Sequence, residues 1–281
     1  VALLLLRHCA SYTKLMYGMR VTPPAAHDPA LQSFDDRVRE CLEQLGGLPM
    51  TAPAWEQACL GVPLGGLGLR SAKLHAPAAY LASTASTALK CQELDGQHTL
   101  QCADIVQATA QFNLAVAEVD HFQGLACRQH QLSAALDKAH LAGLVAAAEG
   151  EAARAHLQLF QQPGAGAWLF ARPAEALGLR LEPAFFRVLL RMRLRLPVAS
   201  SQGYCSMCDG IADRFGDHPR ACPCGGDRNK RHNKLRSVLS TRAAAAGLSP
   251  EVEKPGLLPP RPDEQGACEA GCGGRGGAAA C

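Results

Sequence analysis

The sequence predicts a mainly α-helical protein that carries a small metal-binding module in its C-terminal part. Three observations support this class. Apolar residues recur at helical spacing in several stretches, and no stretch of useful length alternates apolar and polar residues as a strand does. Four cysteines and two histidines are concentrated in one polar segment, 204–236. Hydrophobic residues make up 48% of the 281 residues, enough to build the cores of two modest domains.

The first helices are predicted from apolar periodicity and from the residues that end each run. One helix covers 3–17 and is broken by Val21-Thr22-Pro23-Pro24. A second begins near Asp28-Pro29, where the aspartate can cap and the proline suits the first turn, and stops at Gly46-Gly47. These two helices are expected to form a pair.

A glycine-rich stretch, 63–70, precedes a helix predicted at 71–80. The pattern Gly65-Gly66-Leu67-Gly68 superficially resembles a phosphate-binding loop, but it lacks the lysine and the preceding strand that such a loop requires. We therefore interpret it as a tight turn. The six dispersed histidines of residues 71–160 are interpreted as surface or satisfied core residues: His75, His98, His121, His130, His140 and His156.

The remaining helices are predicted in the same way. Alanine-rich stretches at 103–118 and 132–159 are helical, the second weakened at Glu149-Gly150. Pro183 opens a helix over 184–194, which has an apolar side and an arginine side and is closed by Pro197. A last helix covers 229–246 and ends at Gly247, and its apolar face, Leu235, Val238 and Leu239, is expected to pack toward the protein.

The segment 205–224 has the spacing of a zinc site, C-x2-C-x9-H-x3-C. Two close pairs of soft ligands separated by a short polar loop suit tetrahedral zinc, because each tight turn delivers two ligands. The predicted ligands are Cys205, Cys208, His218 and Cys222. Cys224 stays open as the reserve candidate for the fourth position. The competing interpretation is that these are ordinary buried thiols.

Zinc would also supply folding energy that this segment lacks. Residues 204–224 contain four sizeable apolar residues, Tyr204, Met207, Ile211 and Phe215, too few to fold by burial alone. Metal binding contributes about 10–16 kcal/mol in comparable peptides. We therefore expect zinc as the cofactor.

Positive charge is concentrated around the cysteine segment. Residues 180–242 contain thirteen Lys and Arg against five Asp and Glu, a local excess of eight within a chain of net charge +3. Such a segment is typical of a phosphate-binding surface, although the arginines of 187–195 also fit a solvated face. The predicted nucleic-acid-binding residues are Arg228, Lys230, Arg231, His232, Asn233, Lys234 and Arg236.

The sequence gives no sign of a membrane protein. The apolar opening 1–6 stops at Arg7, far short of the ~18 residues that span a bilayer, and no signal-peptide cleavage pattern follows. Six of the thirteen cysteines are scattered singly through helix-like sequence, which favours a reducing compartment. We expect an intracellular, nuclear protein. Because the chain begins at Val1, we also expect it to be a piece of a longer protein.

Several motifs resemble a known family. The C-terminal part of the chain resembles the C-terminal region of non-LTR retrotransposon proteins that carry a restriction-like endonuclease. The motifs that resemble it are Gly216-Asp217-His218, Cys222, 225–228 and 231–236. In that family a CCHC zinc knuckle precedes a basic R/K-H-N/D element. The N-terminal third is similar to the thumb and post-thumb region of such a reverse transcriptase, at residues 5–11, Lys14, Arg20, Pro23-Pro24 and 63–69.

The resemblance implies a domain organisation. A thumb-like helical region spans 1–90 and an alanine-rich helical connector spans 91–197. A CCHC zinc knuckle then spans 198–228. The basic helix and the start of a truncated endonuclease-like region span 229–260, and a disordered Gly/Ala/Cys tail spans 261–281.

The departures from the family determine the expected activity. The family places the polymerase palm, with its aspartate pair, upstream of Val1, so nucleotide addition is not expected from this stretch. Arg261-Pro262-Asp263-Glu264 is similar to the start of the nuclease motif, but Gly, Ala and Cys follow in place of an apolar strand. We expect no catalytic residues, and treat Asp263, Glu264, Glu251 and Glu253 as surface residues. An active nuclease would require Glu253 and Asp263 to converge.

Two hypotheses of function follow. The first is a nucleic-acid-binding C-terminal fragment of a retrotransposon-derived reverse transcriptase, with zinc as cofactor, DNA, RNA or both as partners, and no membrane or small-molecule substrate. The second is a zinc-stabilised helical adaptor for protein partners. The basic run discriminates between them, because an adaptor has no need of that local charge.

Overall fold

The fold is described by a computed structural model covering residues 1–47, 49–124, 127–224 and 227–253, with the side chains of Leu177, Asp227 and Arg228 excepted. The chain forms two compact units. We call residues 1–203 with 212–217 the helical unit, and residues 204–211 with the described residues from 218 onward the cysteine unit. The prediction of a mainly α-helical protein is confirmed.

Helices account for most of the described chain. The helical unit contains α1 (Ala2–Cys9), α2 (Met16–Val21), α3 (Pro24–Gly46), α4 (Ala52–Cys59), α5 (Ala72–Leu94), α6 (Ala103–Ala115), α7 (Gln129–Ala147), α8 (Gly150–Phe160) and α9 (Pro183–Arg193). Short strands β1 (Gly203–Tyr204) and β2 (Ile211–Ala212) pair with each other, and α10 (Asp217–Ala221) and α11 (Asp227–Ala245) follow. None of the helices within the described ranges is both long enough and apolar enough to cross a bilayer.

The N-terminal helices differ from the prediction in their bounds. The single helix expected over 3–17 is interrupted at Ser11, whose backbone is extended, and a 3-10 turn, Tyr12–Lys14, leads into α2. The buried Ser11 hydroxyl donates to Arg7 O at 2.8 Å, so the break is stabilised by the preceding helix. α3 begins at Pro24, one turn before the predicted start, because a proline is well suited to the first helical position.

The main core of the helical unit combines the start and the end of its sequence. Leu3 and Leu6 of α1 pack in one cluster with Leu42 of α3, with Leu190 of α9 and with Leu194, the residue that follows α9. A second cluster lies among α5, α6 and α7. Burying one leucine contributes about 1.5–3 kcal/mol, so α9 is a structural part of this core.

The glycine-rich stretch is a buried turn before α5, as expected, and not a phosphate loop. A Cβ on Gly66 would collide with the backbone oxygens of Leu60 and Gln57. The backbone of the turn can lie this close to them only because residue 66 has no side chain. Leu67 and Leu69 on either side of Gly68 are completely buried. The segment therefore serves packing.

Arg193 lies at the centre of this packing. Its fully buried guanidinium donates to Gly66 O at 3.1 Å, to Val62 O at 2.9 Å and to Ala165 O at 3.2 Å. It also stands over the Phe160 ring, 5.1 Å from the centroid. Burial lowers the pKa of Arg193 to about 10, so the side chain remains charged at neutral pH and depends on these acceptors.

Other arginines of this region also have structural roles. Arg191 donates to Gly46 O and Gly47 O at 3.1 and 3.0 Å and so satisfies carbonyls at the C-terminal end of α3. Arg195 pairs with Asp217 at 2.9 Å and covers the Phe215 ring. Part of the positive charge counted in 180–242 is therefore used inside the fold.

Candidate metal centre and basic helix

A tight turn delivers the first two sulfurs of the predicted site. The Cys205 amide donates to Gly210 O at 2.8 Å and closes the loop between β1 and β2. Within the loop, the amides of Met207 and Gly210 each point at a sulfur, 3.4 Å from Cys205 Sγ and Cys208 Sγ respectively. Donors of this kind orient thiolate ligands and stabilise their charge.

One helical turn delivers the other two groups. The Cys222 amide donates to His218 O at 2.7 Å at the end of α10, so the two side chains are four residues apart on the same face of the helix. This explains why three residues separate them in the sequence. The loop and the helical turn together bring all four predicted residues into one cluster.

The cluster has the dimensions of a tetrahedral site. The ligand atoms of Cys205, Cys208, His218 and Cys222 all lie within 4.8 Å of one another. Cys222 Sγ is 3.8 Å from both Cys205 Sγ and Cys208 Sγ, and Cys208 Sγ is 3.3 Å from His218 Nε2. With zinc–sulfur bonds of about 2.3 Å, sulfurs at the corners of a tetrahedron are about 3.8 Å apart. The Cys3His cluster could therefore hold a metal ion, and its geometry is compatible with zinc.

The neighbouring groups shift the pKa values of the two loop thiols, Cys205 and Cys208, in opposite directions. The Met207 amide, followed by His218, lowers the pKa of Cys205 to about 6. The Gly210 amide acts to lower the pKa of Cys208, but desolvation and the sulfurs of Cys222 and Cys205 outweigh it and raise that pKa. Crowded sulfurs of this kind do not ionise together readily unless a cation compensates their charge.

Gly210 is a site residue that the sequence-based analysis did not identify. A Cβ at this position would lie 2.6 Å from His218 Cε1, 3.2 Å from His218 Nδ1 and 3.3 Å from Cys208 Sγ. The absence of a side chain therefore lets the imidazole approach the sulfurs. Its place two residues after Cys208, where the chain must turn back, is the signal that could have pointed to it.

Cys224 lies outside the cluster. It is half-buried, and the group of ligand atoms found in the described residues includes Cys222 and not Cys224. Four protein ligands complete a tetrahedron and leave no position for water or substrate, which is the arrangement of structural zinc sites and not of catalytic ones. The geometry thus favours Cys222 as the fourth ligand.

The basic run occupies the first half of α11. The structure places α11 at Asp227–Ala245, close to the predicted 229–246. The side chains predicted to bind nucleic acid are exposed or half-exposed along this helix: Lys230, Arg231, His232, Asn233, Lys234 and Arg236. The Arg228 side chain lies outside the described residues. Arg231 Nη2 donates to the backbone oxygen of Arg220 in α10, so α11 contacts the turn that carries His218 and Cys222.

One expectation for α11 is wrong. Leu235, Val238 and Leu239 were expected to pack toward the protein, but they are 61%, 49% and 61% exposed. The chain beyond the helix turns back along part of this face, where Pro250 and Val252 line a cleft with Leu235 and Leu239 but leave both leucines largely exposed. Glu251 and Glu253 are exposed, as expected of surface residues, whereas Asp263, Glu264 and the tail 261–281 lie outside the described residues.

Comparisons with protein-family models, with curated proteins and with solved structures give no match for this chain. The resemblance to retrotransposon proteins therefore depends on the motifs of the sequence.

Proposed function

We propose that the cysteine unit is a zinc-stabilised module that binds nucleic acid through α11. The observation that carries the proposal is a Cys3His cluster followed directly by a helix with an exposed run of cationic side chains. Zinc would be held by Cys205, Cys208, His218 and Cys222 and would supply folding energy to a segment with little to bury. It would play no part in chemistry, because the four ligands leave no open position.

Phosphate groups are the ligands to which this helix is best suited. Lys230 and Lys234 are one turn apart and lie side by side on one edge of α11. Arginine forks bind phosphate oxygens with two hydrogen bonds, and His232 and Asn233 supply further polar groups for phosphate or base edges. Four or five such contacts would make the affinity strongly dependent on salt.

We also propose that the chain is the C-terminal part of a retrotransposon-derived reverse transcriptase. The support is the order of its features, in which a helical region with the buried glycine turn precedes the Cys3His cluster and then the Arg231-His232-Asn233 element. Extending the transcript upstream of Val1 tests this origin. A polymerase palm with paired aspartates is expected there, and an unrelated upstream coding sequence would exclude it.

A second candidate is the zinc-stabilised adaptor. The exposure of Leu235, Val238 and Leu239 favours it, because an apolar strip on a helix is suited to a protein partner. The two candidates differ in their response to salt. Phosphate binding weakens steeply as salt rises, whereas an apolar contact does not.

The test is a salt titration of fluorescence anisotropy with single- and double-stranded DNA and RNA. We expect a slope of log affinity against log salt of about −3 to −5, and expect Lys230→Ala with Lys234→Ala to flatten it by about two. The matched control is Arg37→Ala with Lys90→Ala, two exposed cations of the helical unit, which should leave the slope unchanged. Salt-insensitive binding, or no binding by the zinc-loaded protein, favours the adaptor.

A further inference from the structure

The chain after α11 turns back toward the basic run. Gly247, with φ of +80°, ends the helix, and the amides of Gly247 and Leu248 donate to Ala244 O and Ala243 O. Residues 250–253 then run back along the helix and line a cleft of about 350 Å³ with His232, Leu235, Arg236 and Leu239. We call residues 248–253 the return segment.

The return segment ends in a carboxylate that lies against the basic run. Glu253 pairs with the Arg236 guanidinium, 17 residues earlier in the chain. The same carboxylate lies 3.9 Å from His232 Nε2. The Glu253 backbone has a φ of +54°, a left-handed conformation that residues with a side chain seldom adopt. An acidic group therefore lies against two of the residues proposed to contact phosphate.

We infer that Glu253 is an internal competitor for nucleic acid, which neutralises Arg236 until a phosphate displaces it. This inference rests on the proposed nucleic-acid binding by α11. A carboxylate and a phosphate are alternative ligands of the same guanidinium fork, so they cannot both use it fully. The return segment would thus lower the affinity of α11 for weakly charged ligands. A polyanion could still displace Glu253 from Arg236, because its neighbouring phosphates are held by the other cations of the helix.

The pair is suited to this role because it is accessible. The Arg236 and Glu253 side chains are 32% and 62% exposed, so solvent and ligand can reach the contact. Exposed ion pairs are weak and are exchanged readily. A phosphate can therefore replace Glu253 without unfolding α11.

Glu253→Gln tests the inference in the full chain with zinc bound. The glutamine keeps the size of the side chain but cannot neutralise Arg236. We expect affinity for a 20-nucleotide single-stranded DNA to rise about 2- to 10-fold at low salt, and the salt slope to become steeper by about one, because one more cation meets a phosphate. Zinc content and helical circular dichroism should not change. Glu151→Gln, which removes one exposed carboxylate from α8 in the helical unit, is the matched control and should leave both values unchanged.

The double variant separates a specific contact from a general effect of charge. In an Arg236→Ala background the gain from Glu253→Gln should disappear, whereas in an Arg242→Ala background, which removes a cation further along α11, it should persist. An equal gain in both backgrounds, or unchanged binding by Glu253→Gln, overturns the inference and leaves the proposed function standing. If neither wild type nor Glu253→Gln binds any of the nucleic acids, both fail.

Discussion

Arg193 Nε donates a hydrogen bond to the backbone oxygen of Gly66 at 3.1 Å, although 127 positions separate the two residues in the chain. The contact joins the last turn of α9 to the buried glycine turn before α5. The Arg193 backbone oxygen is also engaged, since it accepts from Gln57 Nε2 at 2.8 Å and lies 3.0 Å from the buried His156 Nε2. One residue thus satisfies polar groups from four parts of the helical unit.

Replacing Arg193 should destabilise the helical unit strongly. Arg193→Met keeps an apolar chain of similar length but leaves buried carbonyl oxygens without donors, and we expect a loss of about 2–4 kcal/mol. Arg187→Met, on the exposed side of the same helix, should change stability by about 0.5 kcal/mol or less. Urea unfolding followed by tryptophan fluorescence measures this, because Trp55 and Trp168 both pack on the core of the helical unit. Equal midpoints for the two variants would contradict the role given to Arg193.

The metal ligands can be tested individually. Cys205→Ser and His218→Ala should each abolish stoichiometric zinc after purification, because each removes one of the four bonds that hold the metal and weakens its affinity. Cys224→Ser should retain one zinc per chain, since Cys224 lies outside the cluster. Elemental analysis of the purified variants decides between Cys222 and Cys224. Zinc retained by Cys205→Ser, or lost from Cys224→Ser, would show that the ligand set is different.

Gly210→Ala should weaken metal binding without removing a ligand. The new methyl group would lie 2.6 Å from His218 Cε1 and would push the imidazole away from the sulfurs. Disturbing the groups that orient ligands costs about 10- to 100-fold in affinity. Gly203→Ala is the control, because a Cβ there meets nothing within 4 Å. Competition with a chromogenic chelator gives the zinc affinity of each variant. Equal affinities for Gly210→Ala and Gly203→Ala would exclude this steric role.

Acid should destabilise the helical unit through Asp137. Its carboxylate accepts from Arg70 at 2.7 Å and lies 3.3 Å from the Nε2 atom of the buried His75. Burial acts to raise the pKa of Asp137, but the hydrogen bond and charge of His75 and the charge of Arg70 outweigh it and lower the pKa. A carboxylate with a lowered pKa stabilises the fold above its unfolded pKa, near 3.9, and this contribution is lost as the pH falls through the folded value.

The measurement is the urea midpoint between pH 7 and pH 3. Wild-type stability should fall below about pH 4, and Asp137→Asn should flatten this fall while lowering stability at pH 7 by about 1–3 kcal/mol. Glu93→Gln, at an exposed position near the end of α5, should follow the wild-type curve. If the urea midpoint of Asp137→Asn falls below pH 4 as steeply as that of the wild type, another titrating group dominates the acid dependence of stability.

Local spacing was enough to predict much of the architecture. The Cys-x2-Cys pair and the three residues between His218 and Cys222 correspond to a loop and to one helical turn, which are short-range geometries. The helices α6 and α11 lie within a few residues of their predicted bounds for the same reason, because propensity and end signals act locally.

The remaining features depend on partners that are distant in the sequence. Nothing near Arg193 distinguishes it from the arginines beside it, because its acceptors belong to Val62, Gly66 and Ala165. Likewise, the apolar spacing of Leu235 and Leu239 predicted a buried face, but burial requires a neighbouring element. The return segment lines a cleft with these leucines and leaves each of them 61% exposed. The zinc identity and the nucleic-acid partner remain predictions.

The separation of 127 positions between Gly66 and Arg193 also determines when the helical unit can complete its folding on the ribosome. At about 5–20 residues per second, roughly 6–25 seconds pass between synthesis of the glycine turn and synthesis of the arginine that satisfies it. During that interval the carbonyls of Val62 and Gly66 lack the donors of Arg193, and the leucines of α1 and α3 lack Leu190 of α9. The nascent chain therefore presents an unfinished apolar surface to which chaperones can bind, and a ribosome that stalls before α9 would release a product unable to complete its core.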